Sequence, residues 1–214
     1  GGGGHRHGCD GVRPLADLAS MESIEQIRVR GGGPLEGTIP VGGAKNSVLK
    51  LMAATLLAEG ASHLHNVPRI TDVDLMSDLL CATGCSVARD GTTLRIDVPA
   101  EIEPVAPYEI VEQFRASIVV MGPMLARCGE ARVAMPGGDD FGPRPIDMHV
   151  RGLQELGAEF DTAHGYIHAR SQNLQGARVL LEFPSVGATE NLVMAAVRAK
   201  GTTCLLYTSP SPRD

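Results

Sequence analysis

The chain repeats itself at an interval of about 72 residues, and this repeat restricts the possible folds more than any other feature. Ala44, Ala116 and Ala188 each lead an apolar, helix-like segment, and they lie 72 residues apart. Gly84 and Gly157 each end a second helix-like segment and lie 73 residues apart. This interval exceeds the roughly 20–50 residues of solenoid repeats. It predicts a few larger α/β units packed around a shared core.

Each complete unit reads as a helix, a strand, a second helix and a β-hairpin. In the first unit, apolar residues at i, i+3 and i+4 predict a helix over 46–60, and the Asp90–Gly91 pair predicts the hairpin turn. Alternating apolar residues also predict a strand over 24–31. The second unit repeats the pattern, with the segment RASIVVMGPMLARCG as its first helix. The third unit contains only a first helix, GATENLVMAAVRAKG, so the fold class is α/β with an incomplete third repeat.

Composition narrows the possible functions. The formal net charge of −6 argues against nonspecific binding of nucleic acid, which needs a basic surface. No apolar run approaches the roughly 18 residues of a membrane span, and the first 20 residues lack the apolar segment of a signal peptide. The five cysteines form no CxxC motif, so neither a disulfide framework nor a metal site is expected. We expect a cytoplasmic protein without a cofactor.

The second unit contains an insertion that the first unit lacks. Six positions separate Pro68 from Asp74, whereas eleven separate Pro136 from Asp147. The added residues, GGDDFGPRP, include Asp139, Asp140 and Arg144 among glycines and prolines. A charged loop longer than its structural counterpart is a functional candidate. The alternative is a tolerated surface insertion.

Basic residues stand where the first helices of the units begin. Lys45 and Asn46 follow two glycines at the first start, Arg115 stands at the second, and the third has Ser185 in SVGATEN. Helix N-termini favour anions, and lysine and arginine bind phosphate or carboxylate. Together with Arg144 these cations predict an anion site at one end of the units. Taken singly, a solvated lysine and a surface ion pair are the alternatives.

Four segments together resemble the UDP-N-acetylglucosamine enolpyruvyl transferases: GGAKNS, RASIVVMGPMLARCG, PGGDDFGPRPIDMHVRGLQELGA and SVGATENLVMAA. The resemblance implies two lobes, each an inverse α/β barrel of three repeats, of which this chain holds one lobe. It implies transfer of enolpyruvyl from phosphoenolpyruvate to the 3′-hydroxyl of UDP-N-acetylglucosamine. That step opens peptidoglycan synthesis, which links it to cell wall biogenesis, cell shape and division. The implied partners are these two small molecules, with no nucleic acid and no membrane.

The resemblance also implies a role for each matching residue. Lys45 and Asn46 match a pair that holds phosphoenolpyruvate, and Asp139 matches the general acid on a mobile loop. The positions that match contacts with the UDP-sugar are Arg115, Arg144, Pro145, Ile146, Asp147, Met148, Ser185 and Val186. Arg144 also faces phosphoenolpyruvate.

Three positions depart from many members of that family. Asp139 replaces a cysteine, so a proton donor is kept while the thiol that fosfomycin alkylates is absent. Val119 replaces a tryptophan. Phe183 replaces a lysine near the uridine diphosphate, which removes one contact with substrate.

The resemblance covers about 21–203, and we expect flanking segments outside it. Residues 1–20 form a leader, and 204–214, CLLYTSPSPRD, form a tail; neither is expected to pack. A lobe alone lacks the aspartate that deprotonates the sugar hydroxyl, so we expect the chain alone to be inactive. Two alternatives remain: an enolpyruvyl transferase similar to EPSP synthase, or a non-catalytic module that binds a UDP-sugar.

Overall fold

The computed structural model describes residues 31–34, 36–113, 115–135 and 146–206. Within them lie six α-helices: α1 Lys45–Thr55, α2 Thr71–Ala82, α3 Tyr108–Val111, α4 Met121–Cys128, α5 Asp147–Glu155 and α6 Val186–Ala196. A 3₁₀ helix, Arg115–Val120, precedes α4. The nine strands are β1 Gly60–Leu64, β2 Ser86–Asp90, β3 Thr93–Val98, β4 Val105–Ala106, β5 Glu130–Ala134, β6 Glu159–Ala163, β7 Tyr166–Arg170, β8 Arg178–Leu180 and β9 Cys204–Leu206.

The strands form one sheet in each unit, and the sheets repeat one topology. In the first unit β3 lies between β1 and β2, and both pairings are antiparallel. In the second unit β7 lies in the same way between β5 and β6, and β4 joins β5 in parallel. In the third unit β8 and β9 form a parallel pair like β4 and β5. The repeated α/β architecture predicted from the sequence is confirmed.

One core joins the units. The largest fully buried side chains come mainly from helices: Met52, Leu56, Met76, Leu79, Leu80, Met121, Met124, Leu125, Leu153 and Leu156. In β3, Leu94, Ile96 and Val98 point into this core, while Arg95 and Asp97 face outward. Each sheet therefore covers the helices with its apolar face and meets water with its polar face, as antiparallel sheets commonly do.

The segment RASIVVMGPMLARCG is not the single α-helix that its apolar pattern predicts. It begins as a 3₁₀ helix and becomes α-helical only at Met121. Pro123 gives a physical reason, because a proline ring clashes with the carbonyl four residues earlier in an α-helix. In the first turn of α4 that clash is avoided if the preceding turn is wound differently. Gly129, at φ 75°, then ends the helix in a left-handed conformation.

The third unit extends further than the sequence indicated. Cys204–Leu206 was assigned to an unpacked tail, yet it forms β9, and the backbone N–H of Cys204 donates to Ala177 O at 2.9 Å. Leu205 packs against the core, so a short apolar segment is enough to complete the pair with β8. The expectation of an unpacked tail is therefore wrong for these three residues. The boundary of the family-like region near 203 stays a prediction.

Several sequence predictions lie outside the described residues. They are the strand over 24–30, the leader 1–20, the tail beyond residue 206 and the inserted loop, with Asp139, Asp140, Arg144 and Pro145. In the part of the chain that the structure describes, no helix has the length and apolar character needed to cross a membrane.

Candidate functional site

The main helices begin at the same end of the molecule. Lys45, the first residue of α1, forms an ion pair with Asp72, the second residue of α2, at 2.7 Å. Lys50, in the second turn of α1, pairs with Glu190, in the second turn of α6, also at 2.7 Å. Such contacts between equivalent turns require the helices to run in the same direction. Their partial positive charges therefore gather at one end, which we call the helix-start end.

At the helix-start end, α1 presents an open first turn. Ala44 precedes it without a side-chain cap, and the first turn holds no acidic residue. The side chains of Lys45 and Asn46 are exposed. Gly43 lies so close to the next loop that an added Cβ would meet Asn66 O, so no other residue fits there without movement. An anion could therefore meet backbone N–H groups and the Lys45 ammonium together.

The starts of α5 and α6 lie side by side at this same end. Their axes approach closely at Gly152, where an added Cβ would meet the Leu192 side chain at 2.5 Å. Ile146 and Asp147 are half-buried at the start of α5, and Met148 is buried. The structure thus brings these residues of the predicted UDP-sugar run close to the first turn of α6.

Ser185 and Val186 form the beginning of α6. The Ser185 hydroxyl accepts a hydrogen bond from the Ala188 N–H at 3.3 Å and so caps the helix, while Val186 remains exposed. Arg115 opens the 3₁₀ helix of the second unit. The structure therefore places the described candidate residues of all three units at helix starts, as their sequence positions predicted.

A buried polar network holds these helix starts together. Asn191 of α6 accepts a hydrogen bond from the Gly122 N–H at 2.7 Å and donates to Ile118 O at 3.2 Å. Its amide nitrogen also lies 3.0 Å from Nδ1 of His149 on α5. Burial lowers the pKa of His149 to about 4, against a smaller opposing effect of the Asp147 carboxylate. The imidazole is therefore neutral near pH 7.

Several buried polar atoms at the helix-start end have no partner among the described residues. They are Ser117 Oγ, Asp147 Oδ1, Thr189 Oγ1 and Glu190 Oε2; elsewhere in the described part the same holds for His168 Nε2 and Ser171 Oγ. Buried polar groups are normally hydrogen-bonded, and exceptions often mark a binding site or ordered water. Four of the six lie in the first two turns of helices, which singles out this end of the molecule.

Sequence reasoning missed three residues of this end. Asp72, His149 and Asn191 were not among the candidates, although each contacts a helix start. A signal for two of them exists in the sequence, because His149 and Asn191 are polar residues on apolar helix faces. That signal alone does not distinguish a satisfied core residue from a binding residue.

Comparison with known proteins places this geometry in a family. The family model described as EPSP synthase (3-phosphoshikimate 1-carboxyvinyltransferase) matches residues 29–212. The chain belongs to this family of enolpyruvyl transferases. The match includes β9 and continues beyond the boundary expected near 203.

Curated relatives confirm the resemblance seen in the sequence motifs. A UDP-N-acetylglucosamine 1-carboxyvinyltransferase of Corynebacterium efficiens is 54% identical over 181 residues, which cover 85% of this chain and 43% of the relative. The protein of that name from Mycobacterium tuberculosis is 53% identical over 188 residues, or 88% of this chain and 45% of the relative. The chain thus spans less than half the length of the curated relatives it matches.

Solved structures of family members share the fold. The enolpyruvyl transferase NikO from Streptomyces tendae aligns with a TM-score of 0.71 at 21% identity, covering 85% of this chain and 43% of that protein. EPSP synthase from Acinetobacter baumannii aligns with a TM-score of 0.63 at 19% identity, covering 82% and 41%. At these identities the likeness concerns the fold alone, and it confirms the enolpyruvyl transferase fold class.

Proposed function

We propose that the protein to which this chain belongs transfers the enolpyruvyl group of phosphoenolpyruvate to the 3′-hydroxyl of UDP-N-acetylglucosamine. The observation that carries the proposal is the exposed Lys45 at an uncapped helix start, in a chain 53–54% identical to relatives named for this reaction. The chain supplies one wall of the site, and the rest of a full-length protein supplies the other.

The helix-start end suits two anionic substrates. Lys45, Asn46 and the open first turn of α1 bind phosphoenolpyruvate, because a lysine beside free backbone N–H groups stabilises a phosphate or carboxylate. Residues 146–148 with Ser185 and Val186 bind the UDP-sugar between the starts of α5 and α6. Arg115 and Arg144 add positive charge to the two substrates, as the resemblance implies.

The reaction needs a proton donor at the methylene carbon of phosphoenolpyruvate. When that carbon takes a proton, the sugar oxygen bonds to the adjacent carbon and loses its own proton to a base. Departure of phosphate and loss of a proton from the new methyl group then restore the double bond. We assign the first proton to Asp139 on the inserted loop, which lies outside the described residues. The base belongs to the other lobe.

The substrate assignment is tested with a full-length protein that contains this chain. We expect phosphate release only when phosphoenolpyruvate and UDP-N-acetylglucosamine are both present, and no release with shikimate 3-phosphate. Titration calorimetry should show binding of the UDP-sugar alone. Release with shikimate 3-phosphate would instead support an activity like that of EPSP synthase. Binding of the UDP-sugar without any release would support the non-catalytic module.

The 214-residue chain alone provides a second test. We expect no phosphate release, because groups that act as a unit fail together when some are absent. Turnover by a pure sample of this chain would contradict the assignment of the base to another lobe.

The acid is tested in the full-length protein with three variants. Asp139→Ala should slow the addition step about 10²–10⁴-fold, the usual contribution of a general acid, and Asp140→Ala should slow it much less. Asp139→Cys should keep substantial activity and become sensitive to fosfomycin, because a thiolate is the stronger nucleophile. A parent enzyme that fosfomycin inactivates covalently at this loop would refute the assignment.

The same proposal sets the cellular role. An enzyme with this activity acts in the cytoplasm at the start of peptidoglycan synthesis, and its loss would disturb cell shape and division. Depletion of the protein in its host should lower the pool of enolpyruvyl UDP-sugar; an unchanged pool would contradict this role.

A further inference from the structure

The first turn of α6 leaves two backbone donors open. Ser185 occupies its own oxygens within the helix, since Oγ accepts from the Ala188 N–H and the carbonyl from the Thr189 N–H at 2.9 Å. Among the described residues, no hydrogen bond uses the N–H of Val186 or of Gly187. The helix start is therefore capped on one side and open on the other.

The neighbouring His149 has a tautomer that the backbone determines. The Gly122 N–H can only donate, so the side-chain atom of Asn191 that faces it must be the oxygen. The Asn191 amide nitrogen then points at Nδ1 of His149, 3.0 Å away, and Nδ1 must accept. In a neutral imidazole the proton therefore lies on Nε2. Burial, which lowers the pKa of His149 to about 4, keeps the ring neutral.

The Nε2 atom faces the open side of α6. His149 is only 8% exposed, and a Cβ added to Gly187 would lie 3.5 Å from both Nε2 and Cε1 of the ring. No described residue accepts a hydrogen bond from Nε2. A buried side chain thus turns an unused donor toward the same space as the free N–H groups of Val186 and Gly187.

We propose that His149 is a substrate-binding residue, whose Nε2–H donates to a phosphate oxygen of the nucleotide-sugar held at the start of α6. The inference rests on the proposed function and adds a donor to it. Three N–H donors facing one space fit a phosphate group, which accepts several hydrogen bonds. His149 also supplies a contact on the side where Phe183 replaces the lysine that many members of the family carry.

Two substitutions separate this role from the structural role of the ring. His149→Asn places an amide oxygen near the position of Nδ1, so the bond from Asn191 is kept while the outer donor is lost. His149→Gln places an amide N–H near the position of Nε2, so the outer donor is kept while the bond from Asn191 is lost. A third variant, Gly187→Ala, puts a methyl group in ordinary contact with the ring edge and covers Nε2.

The measurement is titration calorimetry of the full-length protein with UDP-N-acetylglucosamine, UDP and uridine, together with melting temperatures. We expect His149→Asn to bind UDP and the UDP-sugar about 10- to 100-fold more weakly, as loss of a hydrogen bond to a charged group predicts. Its affinity for uridine should equal that of the parent. His149→Gln should bind UDP more tightly than His149→Asn although it melts at a lower temperature. Gly187→Ala should bind UDP weakly without melting earlier.

Equal affinity of the parent and His149→Asn for UDP would overturn the inference while leaving the proposed function intact. So would a loss of affinity that follows the melting temperature through all three variants, because the ring would then act only in the fold. If the parent itself binds no UDP-sugar, the proposed function fails and this inference fails with it.

Discussion

Substitution of Gly122 by alanine would test how closely α4 and α6 pack. An added Cβ would lie 2.4 Å from both the backbone oxygen and the side-chain oxygen of Asn191. Non-bonded heavy atoms are optimally separated by about 3.5–4.0 Å, so one helix must shift by roughly 1 Å. That shift also breaks the 2.7 Å bond from the Gly122 N–H to Asn191.

The cost follows from these two effects. Overpacking a well-packed core costs about 1–3 kcal/mol, and a buried donor left without a partner costs about 1–3 kcal/mol. The better helix propensity of alanine returns about 1 kcal/mol. We therefore expect a net loss of about 3 kcal/mol in the free energy of unfolding. For a chain of this size that lowers the melting temperature by about 6–12 °C.

Gly187→Ala is the matched control, because both glycines lie in the first turn of a helix. There the added Cβ makes an ordinary contact at 3.5 Å with the His149 ring, so we expect an unchanged or slightly higher melting temperature. Thermal unfolding of the parent and the two variants, followed by circular dichroism, measures the difference. If the Gly122 variant melts within about 2 °C of the Gly187 variant, the close packing of α4 on α6 is wrong.

Three further predictions concern charge. The free energy of unfolding should fall by about 3 kcal/mol between pH 6.5 and 4, because the unfolded His149 binds a proton that the folded ring with its pKa of about 4 excludes; urea unfolding of His149→Asn should lose this dependence. Lys45→Ala should change the urea stability by less than about 1 kcal/mol, since its ion pair with Asp72 is largely exposed, yet it should abolish turnover in a full-length enzyme. Arg127→Met should lower the free energy of unfolding by about 1–3 kcal/mol in the same assay, because the guanidinium donates to three backbone carbonyls; a smaller loss for it than for Lys45→Ala would contradict this.

The architecture could be predicted because its signals are local and repeated. The Asp90–Gly91 pair forms the hairpin turn between β2 and β3, and the apolar face of α1 is the buried one. The 3₁₀ start before α4 was missed although Pro123 signals it, because the apolar pattern was weighed above the proline. The strand β9 was missed for a different reason. Three residues are too few to show a period, and only pairing with β8 makes them a strand.

The candidate site divides in the same way. Lys45 and Ser185 could be placed at helix starts from sequence, since glycine, serine and an apolar run mark where a helix begins. The partners of those residues could not be placed. Asp72 meets Lys45, and His149 meets Asn191, across helices that only the tertiary fold brings together.

An acidic chain can still form an anion site, and the arrangement of helices explains how. At the helix-start end, Asp72 and Glu190 are paired with Lys45 and Lys50, so those carboxylates are largely compensated. The positive ends of the helix dipoles then remain as an attraction for anions. At the opposite end of α1, Arg127 donates to Leu56 O at 3.0 Å and offsets the negative end of that helix. The net charge of −6 therefore describes the whole surface, while a phosphate approaching the helix starts meets lysines and backbone N–H groups. Because Lys45 is shared with Asp72, phosphoenolpyruvate must compete with that carboxylate, and Asp72→Asn should tighten its binding to the full-length protein. Weaker binding in that variant, measured by calorimetry, would show that Asp72 instead holds Lys45 in the position that the substrate requires.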